Sequence, residues 1–353
     1  MRKGAKVTMD VLLIGAGMVA QTHVLALRDN EAGLRLAGVL GRDPVRTKAF
    51  CAQAGNTVGH VVPAFTDVGE ALFTPPDMAI LITPPNARAG FADALAEARV
   101  PTLMEKPIER TLDAARAIGA TYARFDVLAG VCFQHRTRAA SQALKAKLLA
   151  SDLGDIVHVD IRVPWWRDQA YYDEPGRGSY DRDGGGVMIN QAIHSLDLAL
   201  WLVGSVAQVQ AQMRTSPLHR MEAEDIASGL LTFASGASGV LSASTAAYPG
   251  GAESIAITTT KAQVLLQGDT LRIDWHDGRQ DLMTPDTSAG TGGGADPMAF
   301  SHGWHQSMIE DFAQAVRNQA APLVPMDEAL HVHAVIHAME QAARNQTLTD
   351  VPT

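Results

Sequence analysis

The chain has 353 residues, of which 46% are hydrophobic and 19% charged, a composition typical of a soluble globular protein with about two domains. Its formal net charge of −9 argues against a surface for nucleic acid or for an anionic membrane, so we expect neither as a partner. Two cysteines (Cys51 and Cys132), no apolar run of membrane length and no signal-peptide pattern favour a cytoplasmic protein without disulfides.

The first motif is an apolar run followed by glycines, in the sequence DVLLIGAGMVA that begins at residue 10. The run from Val11 to Ile14 would form a buried strand. Gly15 would allow a tight turn, and Gly17 would let the backbone approach a pyrophosphate. Ala20 is small enough for a helix to pack closely on the strand, and the N-terminus of that helix presents free N–H groups to phosphates. The pattern also describes an ordinary strand-to-helix turn, but its place after an apolar strand favours a dinucleotide site.

Further apolar runs alternate with alanine-rich amphipathic stretches as far as about residue 132. The apolar runs are Leu36–Leu40, Met78–Ile82, Thr102–Met104 and Val127–Phe133, and the amphipathic stretches include Ala87–Arg99 and Leu112–Arg124. Alternating strands and helices predict βαβ units, so residues 1–132 should form an α/β domain with a doubly wound parallel sheet. Ligands of such sheets bind at the carboxyl ends of the strands.

A lysine follows one of these predicted strands, in the sequence Glu105-Lys106-Pro107. At the carboxyl end of a strand, Lys106 would be placed to touch the ribose or nicotinamide of a cofactor, or a substrate hydroxyl. Pro107 fixes φ, so the chain would turn rigidly there. The alternative is an exposed lysine at the start of a loop.

The pattern changes to a period of two after about residue 150. Ile156–Val163 and Ala207–Met213 alternate apolar with polar residues, and similar runs follow at Ile226–Phe233, Gly239–Thr245, Ser254–Thr259, Gln263–Leu266 and Leu271–Trp275. This period predicts an α+β domain over residues 133–353 with a large, mostly antiparallel open sheet. We also expect a mobile glycine-rich loop at Thr284–Pro297 and two closing helices, near Trp304–Asn318 and Asp327–Asn345.

The first strand of this second domain ends in Pro164-Trp165-Trp166-Arg167, and the polar, aromatic segment beyond it includes Tyr180. Tryptophan faces stack on sugar rings or nicotinamide, and the planar fork of Arg167 binds oxygen atoms. A loop that simply packs against the sheet is an equally consistent alternative.

Three glycines, at 184–186, precede a helical pattern with a line of polar residues. Asn190 and His194 are four residues apart and Asp197 follows three later, so all three would share one face of an α-helix. An imidazole, with a pKa of about 6.5, can take a proton from an alcohol near neutral pH. Asn190 would hold a neighbouring hydroxyl and Asp197 would orient the ring. A helical histidine is often structural, but the polar line beside three glycines favours a catalytic role.

Three histidines near the C-terminus (His331, His333 and His337) raise the question of a metal. Two of them are four apart on a predicted helix, a spacing that suits metal ligands. Because no third ligand is evident, we expect a solvated helix face there and no metal site.

In their order and spacing these motifs resemble the Gfo/Idh/MocA family of dinucleotide-dependent oxidoreductases, over nearly the whole chain. The matching segments are GAGMVAQTH (15–23), LITPPN (81–86), MEKP (104–107), GGGVMINQAIHSLDLALWLVG (184–204) and EDIASGLLTFASGASGVL (224–241). The resemblance implies an N-terminal Rossmann domain, NAD or NADP as cofactor, and a homodimer or homotetramer. The open sheet of the second domain would provide the subunit interface.

The resemblance also implies the site residues. Lys106 and His194 would be the catalytic pair, with Asn190 beside them, and which of the pair accepts the hydroxyl proton stays open. Contacts with the cofactor would come from Gly15, Gly17, Met18, Val19, Gly41, Arg42, Thr83, Pro84, Asn86, Glu105 and Lys106. Contacts with the substrate would come from Arg136, Trp165, Trp166, Arg167, Tyr180, Asn190 and His194.

Three positions depart from the family's pattern. Many relatives have aspartate where this chain has Asn190, and asparagine there resembles the branch of nucleotide-sugar 3-dehydrogenases. Histidine is common where Arg88 stands. Gly41 replaces the acidic residue that usually holds the adenosine 2′-hydroxyl, and Arg42 follows it. This pair slightly favours NADP, although Arg42 would equally stack on the adenine of NAD.

Three functions compete. The first is an NAD(P)-dependent dehydrogenase or reductase acting on a secondary hydroxyl or ketone of a sugar, a sugar derivative or a cyclitol. The second is a glycosidase that keeps NAD bound and cleaves its substrate by transient oxidation. The third is a non-catalytic regulator that binds a dinucleotide, against which the presence of both Lys106 and His194 counts.

Overall fold

Strands and helices alternate through the first part of the computed structural model, which describes residues 8–285 and 301–353. The strands are β1 (Met9–Ile14), β2 (Leu34–Leu40), β3 (Ala64–Phe65), β4 (Met78–Leu81), β5 (Thr102–Glu105) and β6 (Ala129–Cys132). The helices are α1 (Ala20–Asp29), α2 (Pro44–Val58), α3 (Val68–Leu72), α4 (Ala89–Glu97) and α5 (Leu112–Phe125), with a 3₁₀ turn at Pro85–Ala87. Local signals place the start of α2, where Asp43 accepts the N–H groups of Val45 and Arg46 and Pro44 fixes φ.

These six strands pair in parallel in the order β3-β2-β1-β4-β5-β6. Strands β4, β5 and β6 are buried along their whole length, as strands of a parallel sheet are. The predicted doubly wound, Rossmann-type sheet is therefore confirmed. The strand order reverses between β1 and β4, and open sheets of this kind bind ligands at the carboxyl ends beside such a reversal.

The rest of the chain contains the second sheet and five more helices. The strands are β7 (Ile156–Pro164), β8 (Val206–Arg214), β9 (Ile226–Phe233), β10 (Ser238–Ser244), β11 (Ser254–Thr259), β12 (Ala262–Gln267), β13 (Thr270–Trp275), β14 (Gln280–Met283) and β15 (Thr349–Asp350). The helices are α6 (Ala139–Leu149), α7 (Gln169–Tyr172), α8 (Ile193–Val203), α9 (Gly303–Asn318) and α10 (Met326–Asn345), with a 3₁₀ turn at Gln134–Thr137 and a π-helical turn at Met188–Ala192.

The second sheet has nine strands in the order β14-β13-β12-β11-β7-β10-β9-β8-β15. Neighbouring strands are antiparallel except for β7 and β10, which are parallel. Every second residue of β9 is buried, because one face of the sheet packs inward and the other does not. Helix α8 packs against β7 and β11. The predicted open, mostly antiparallel sheet is thus confirmed.

Contacts divide the chain into two units, one around each sheet. Residues 302–329, with helix α9, group with the first sheet, whereas the sequence assigned both closing helices to the second domain. Helix α9 packs against α1, and the N–H of Val131 in β6 donates to the carbonyl of Val324 at 3.2 Å. The amphipathic pattern of a helix shows that one face is buried, but it does not show which sheet will cover that face.

Two expectations concern the C-terminal region. The predicted mobile loop at 284–297 lies outside the described residues apart from its first two, so its mobility stays a prediction. The predicted solvated helix face is wrong for His333, which is buried because α10 turns this side inward. Within residues 8–285 and 301–353, no helix is long and apolar enough to cross a membrane.

Candidate active site

The glycine turn after β1 has the backbone conformation that its sequence predicts. Gly15 adopts a φ of 114°, which side chains other than hydrogen rarely allow. A Cβ there would also lie 2.9 Å from Cγ1 of Ile82 in the neighbouring segment after β4. Gly17, by contrast, has open space where a Cβ would be. Helix α1 then begins at Ala20, which is fully buried and so allows the close packing of helix on strand.

A pocket of about 410 Å³ opens beside this turn, at the carboxyl ends of β1, β2 and β4. Seven of the residues predicted to bind cofactor line it, namely Gly15, Gly17, Gly41, Arg42, Thr83, Pro84 and Asn86. The sequence did not identify the other lining residues, which are Ala16, Leu40, Asp43, Arg46, Thr47, Thr66, Ile82, Ala87 and Phe91. Open space at a glycine backbone and apolar side walls fit the pyrophosphate and adenosine of a dinucleotide. Met18 and Val19 follow in the turn but do not line the pocket.

One end of this pocket carries two arginines. Arg42 follows Gly41, and Arg46 lies one turn into α2. A Cβ at Gly41 would overlap the hydroxyl oxygen of Thr47, so a larger residue there would have to displace this side chain. The carboxylate of Asp43 accepts two backbone N–H groups of α2, each at 2.9 Å. Arg46 is a second cation beside the adenosine end, which the sequence reading missed although it follows Arg42 by four residues.

Glu105, predicted to line the cofactor, is a buried anion at the end of β5. Its Oε1 accepts from Nε2 of His23 at 2.9 Å and faces Nε2 of His305 at 3.4 Å. Its Oε2 accepts the backbone N–H of Lys106 at 3.2 Å. Burial alone would raise the pKa of Glu105, but the hydrogen bonds from the two histidines outweigh it and hold this pKa well below its ordinary value. The pKa of His305 is lowered, chiefly by burial, so we assign a neutral imidazole that donates from Nε2.

The same three side chains have the composition of a metal site. The ligand atoms of His23, Glu105 and His305 lie within 4.8 Å of one another, the only such group among the residues that the structure describes. A bound cation would displace the hydrogen bonds that already satisfy the carboxylate. It would also add positive charge beside Arg88, which is buried nearby. We therefore interpret the cluster as a hydrogen-bonded anchor for Glu105.

Arg88 is only 2% exposed and reaches three backbone carbonyl groups. Its Nε donates to the carbonyl of Thr83 at 3.0 Å, and its Nη1 donates to the carbonyls of Glu105 and Pro107. Burial lowers the pKa of Arg88 to about 10, against the opposing effects of Glu105 and Glu109, so the guanidinium is charged at neutral pH. In the sequence, the only sign that Arg88 is unusual was that many relatives have histidine at this position.

In the second unit, His194 lies near the start of α8 and is largely buried. Its ring stacks on that of His135, with centroids 4.8 Å apart and an angle of 27°, and meets the edge of Phe133 at 6.0 Å. His135 was not predicted as part of the site. No periodic pattern marks it, because it lies in an isolated 3₁₀ turn.

Asn190 lies in the π-helical turn that precedes α8. Its amide donates to the carbonyls of Gly185 at 2.8 Å and Gly186 at 3.0 Å, so it ties the glycine loop to the helix. Asn190 therefore lies just before the α-helix that carries His194 and Asp197, in a turn that closes on i→i+5 bonds. That the three residues share one face stays a prediction.

Arg136, predicted to bind substrate, is fully buried in an ion pair with Asp197. Its Nε and Nη2 donate to the two carboxylate oxygens at 2.9 and 2.6 Å. Asp197 was predicted to orient His194, and the structure places both of its oxygens against this guanidinium. The pair joins the 3₁₀ turn to α8, so it fixes the backbone that carries His135 and His194.

The aromatic segment after β7 is mostly packed against its own unit. Nε1 of Trp165 donates to Glu253 at 3.3 Å, and the guanidinium of Arg167 lies 5.5 Å from the ring centre of Trp165. Trp166 meets the edge of the Tyr248 ring at 5.3 Å. Tyr180 is 47% exposed, which leaves it more accessible than the buried Trp165 and Arg167.

Comparisons with known proteins extend over both units. A family described as an oxidoreductase family with an NAD-binding Rossmann fold matches residues 9–133, and the Gfo/Idh/MocA C-terminal domain matches residues 141–265. D-apiose dehydrogenase from Rhizobium rhizogenes is 27% identical over 239 residues, which cover 66% of this chain and 64% of that protein. Inositol 2-dehydrogenase 1 from Saccharopolyspora erythraea is 26% identical over 204 residues, which cover 56% of this chain and 55% of that protein. The chain thus spans less than two thirds of the length of these curated relatives.

A solved structure matches more completely. The WlbA dehydrogenase from Chromobacterium violaceum, crystallised with NADH and UDP-GlcNAcA, has a TM-score of 0.82 and 26% sequence identity. The match covers 98% of this chain and 96% of that one. Since the two family matches include most of both sheets, this chain belongs to the Gfo/Idh/MocA family of oxidoreductases.

Proposed function

We propose that this protein is an NAD(P)-dependent oxidoreductase that transfers hydride between nicotinamide and a secondary hydroxyl or ketone of a sugar, a sugar derivative or a cyclitol. The observation that carries the proposal is the pocket at the carboxyl ends of β1, β2 and β4, with the Gly15 turn at its base. The relatives named above support the substrate class. Two of them are named for apiose and inositol, and the third was crystallised with UDP-GlcNAcA. Each of these compounds carries secondary hydroxyl groups.

In this proposal Lys106 and His194 divide the work on the reacting oxygen. The nicotinamide, when bound, supplies the hydride acceptor or donor. One of the two would take up or return the hydroxyl proton, and the other would hold and polarise the same oxygen by a hydrogen bond. Which of the two holds that proton first stays open. Asn190 would fix the glycine loop beside the substrate through its hydrogen bonds to Gly185 and Gly186. Because an amide does not titrate, Asn190 would not itself exchange a proton with the substrate.

Replacing each of the two residues tests the assignment. We expect His194→Ala and Lys106→Ala each to lower kcat/KM by roughly 10²- to 10⁴-fold on a responsive sugar or cyclitol. The affinity of His194→Ala for the dinucleotide should stay nearly that of the wild type. Formation of reduced nicotinamide measures turnover, and His276→Ala, an exposed histidine, is the matched control. Wild-type turnover by His194→Ala would remove it from the chemistry.

A second measurement separates net oxidation from internal recycling. Mass spectrometry would identify small molecules released when freshly purified protein is denatured. An empty protein that turns over added NAD or NADP agrees with an ordinary dehydrogenase. A stoichiometric dinucleotide, together with cleavage of glycosides and no net reduction, would replace the proposal with the oxidative glycosidase.

The choice between NAD and NADP depends on the two arginines at the adenosine end. A 2′-phosphate would form charge-assisted hydrogen bonds with Arg42 and Arg46, whereas NAD has no such group there. We expect Arg42→Ala to weaken NADPH roughly tenfold or more and NADH much less, as measured by fluorescence titration. Arg35→Ala, an exposed arginine paired with Asp10, serves as control. An equal loss for both dinucleotides would indicate that Arg42 stacks on adenine.

We also propose a homodimer or homotetramer that works in the cytoplasm. A groove of about 790 Å³ is lined by residues of β8, β9 and β10 together with the C-terminal end of α10 and the residues after it, and Leu230 within it is 57% exposed. The open sheet that carries Leu230 is the surface that we assign to the subunit interface. The unpaired, buried cysteines Cys51 and Cys132 are consistent with a reducing compartment.

A further inference from the structure

The segment around Lys106 is held by a buried arginine that no motif of the sequence assigns to the site. Nη1 of Arg88 donates to the carbonyl of Glu105 and to that of Pro107, the residues on either side of Lys106. Its Nε donates to the carbonyl of Thr83, which lines the nucleotide pocket. A single rigid guanidinium therefore joins the wall of the pocket to both neighbours of Lys106.

The backbone N–H of Lys106 is held by a side chain of the same segment. The N–H of Lys106 donates to Oε2 of Glu105. The Glu105 carboxylate is in turn fixed by His23 of α1, the helix that follows the glycine turn, and by His305 of α9. The backbone at Lys106 is thus constrained at its own N–H and at both flanking carbonyls.

We propose that Arg88 is a positioning residue that couples occupation of the nucleotide pocket to the placement of the Lys106 amine. Burying a guanidinium is costly, and an apolar side chain would fill the same volume without that cost. Five N–H donors in a planar fork can reach three carbonyl groups at once. The compact ammonium of lysine cannot keep all three. The inference rests on the proposed function in one respect, namely that Lys106 acts on the substrate.

The decisive variant is Arg88→Lys, which keeps the positive charge and removes the fork. Its matched control is Arg317→Lys, since Arg317 also donates to a backbone carbonyl, that of Ala32 at 2.7 Å. Competitive labelling of amines with acetic anhydride across pH, read by mass spectrometry of the peptide that contains Lys106, reports the reactivity and pKa of this amine without any substrate. Labelling is done with and without saturating NADH or NADPH, whichever binds more tightly.

We expect the dinucleotide to change the labelling rate of Lys106 in the wild type and in Arg317→Lys. In Arg88→Lys this change should be smaller, by about threefold or more. On a responsive substrate, Arg88→Lys should lower kcat about 100-fold with KM nearly unchanged, because misplacing a catalytic group costs turnover more than binding. The pH profile of kcat should shift in this variant alone.

The outcomes separate the two claims. A folded Arg88→Lys with wild-type labelling and wild-type kcat would overturn the positioning role, as would a lower melting temperature with no change in labelling. If the wild type oxidises no sugar or cyclitol but Arg88→Lys still loses the labelling response, the proposed function fails and the positioning role stands. If Arg88→Lys does not fold, Arg88→Gln, which keeps an N–H donor and leaves Glu105 in place, is labelled in its place and judged by the same criteria.

Discussion

At the scale of residues, buried charges in this protein are held by specific donors. Glu105 accepts from His23, and Asp197 accepts from Nε and Nη2 of Arg136. Glu253 accepts from Arg138 at 2.5 Å and from Trp165 at 3.3 Å. Removing one partner of such a pair typically costs about 3–5 kcal/mol, because the other charge stays buried. These pairs therefore fix particular backbone segments more than they add stability.

Glu340 on α10 is in a different position, because another carboxylate lies near it. It lies beside Gly185, and burial followed by the charge of Glu224 raises its pKa from 4.5 to about 7, against the effect of Arg344. The folded state then binds more protons than the unfolded state between these two values. The stability that Glu340 contributes is therefore fully present below this window and is lost as pH rises through it.

We expect Glu340→Gln to raise the free energy of unfolding at about pH 8 by roughly 1–2 kcal/mol, with the gain vanishing at about pH 4. Urea unfolding at the two pH values measures this difference. Glu328→Gln, an exposed glutamate of the same helix, should show no such pH dependence. Parallel pH profiles for Glu340→Gln and the wild type would mean that the pKa of Glu340 is not raised in the folded state.

At the scale of elements, glycines and a remote carboxylate shape the start of the segment that carries His194. A Cβ at Gly186 would overlap the backbone of Glu224. The Glu224 side chain accepts the N–H groups of Gly186 at 3.1 Å and Met188 at 3.0 Å, although it belongs to the segment before β9. A carboxylate from the distant segment before β9 thus takes the place of the local cap that a helix start usually has.

The turn after β1 allows a sharper test, because Gly17 has room for a methyl group. Gly17→Ala should leave the free energy of unfolding within about 1 kcal/mol of the wild type, since nothing stands within 4 Å of its Cβ. The affinity for the dinucleotide should nevertheless fall, roughly tenfold or more, because the methyl group keeps the pyrophosphate from the backbone. Isothermal titration measures the affinity, and Gly90→Ala, in equally open space on α4, is the control. Unchanged affinity in Gly17→Ala would move the phosphate site away from this turn.

At the scale of the whole molecule, the two units contain different parts of the proposed activity. The unit around the six-stranded sheet contains the nucleotide pocket and Lys106. The unit around the nine-stranded sheet contains His194 and the exposed sheet face with Leu230. In this proposal each sheet would have a function besides that of forming a core.

The exposed face predicts an effect on assembly. We expect Leu230→Glu to shift the protein to a smaller species in light scattering coupled to size exclusion, because a buried charge in an interface is unfavourable. Leu149→Glu, also exposed but outside the groove, should leave the assembly unchanged. A monomeric wild type, or an unchanged mass for Leu230→Glu, would contradict an interface on this face.

Much of the fold could be predicted from the sequence because both of its patterns are local. Periods near 3.6 and 2 distinguished the parallel sheet from the open one, and the glycine turn marked the pocket. The predicted cofactor residues Gly15, Gly41 and Thr83 meet in one pocket because the carboxyl ends of parallel strands share one edge of the sheet.

Local patterns along the chain were thus enough to predict the two sheets, the family and the residues at the strand ends. How those residues are held depends on contacts between segments that are far apart in the chain. Glu105 meets His23 across 82 positions of the chain, and Arg136 meets Asp197 across 61. Periodicity reports which face of an element is buried, but not which distant side chain will meet it. The anchor of Glu105, the carbonyl contacts of Arg88 and the place of α9 were invisible for that reason.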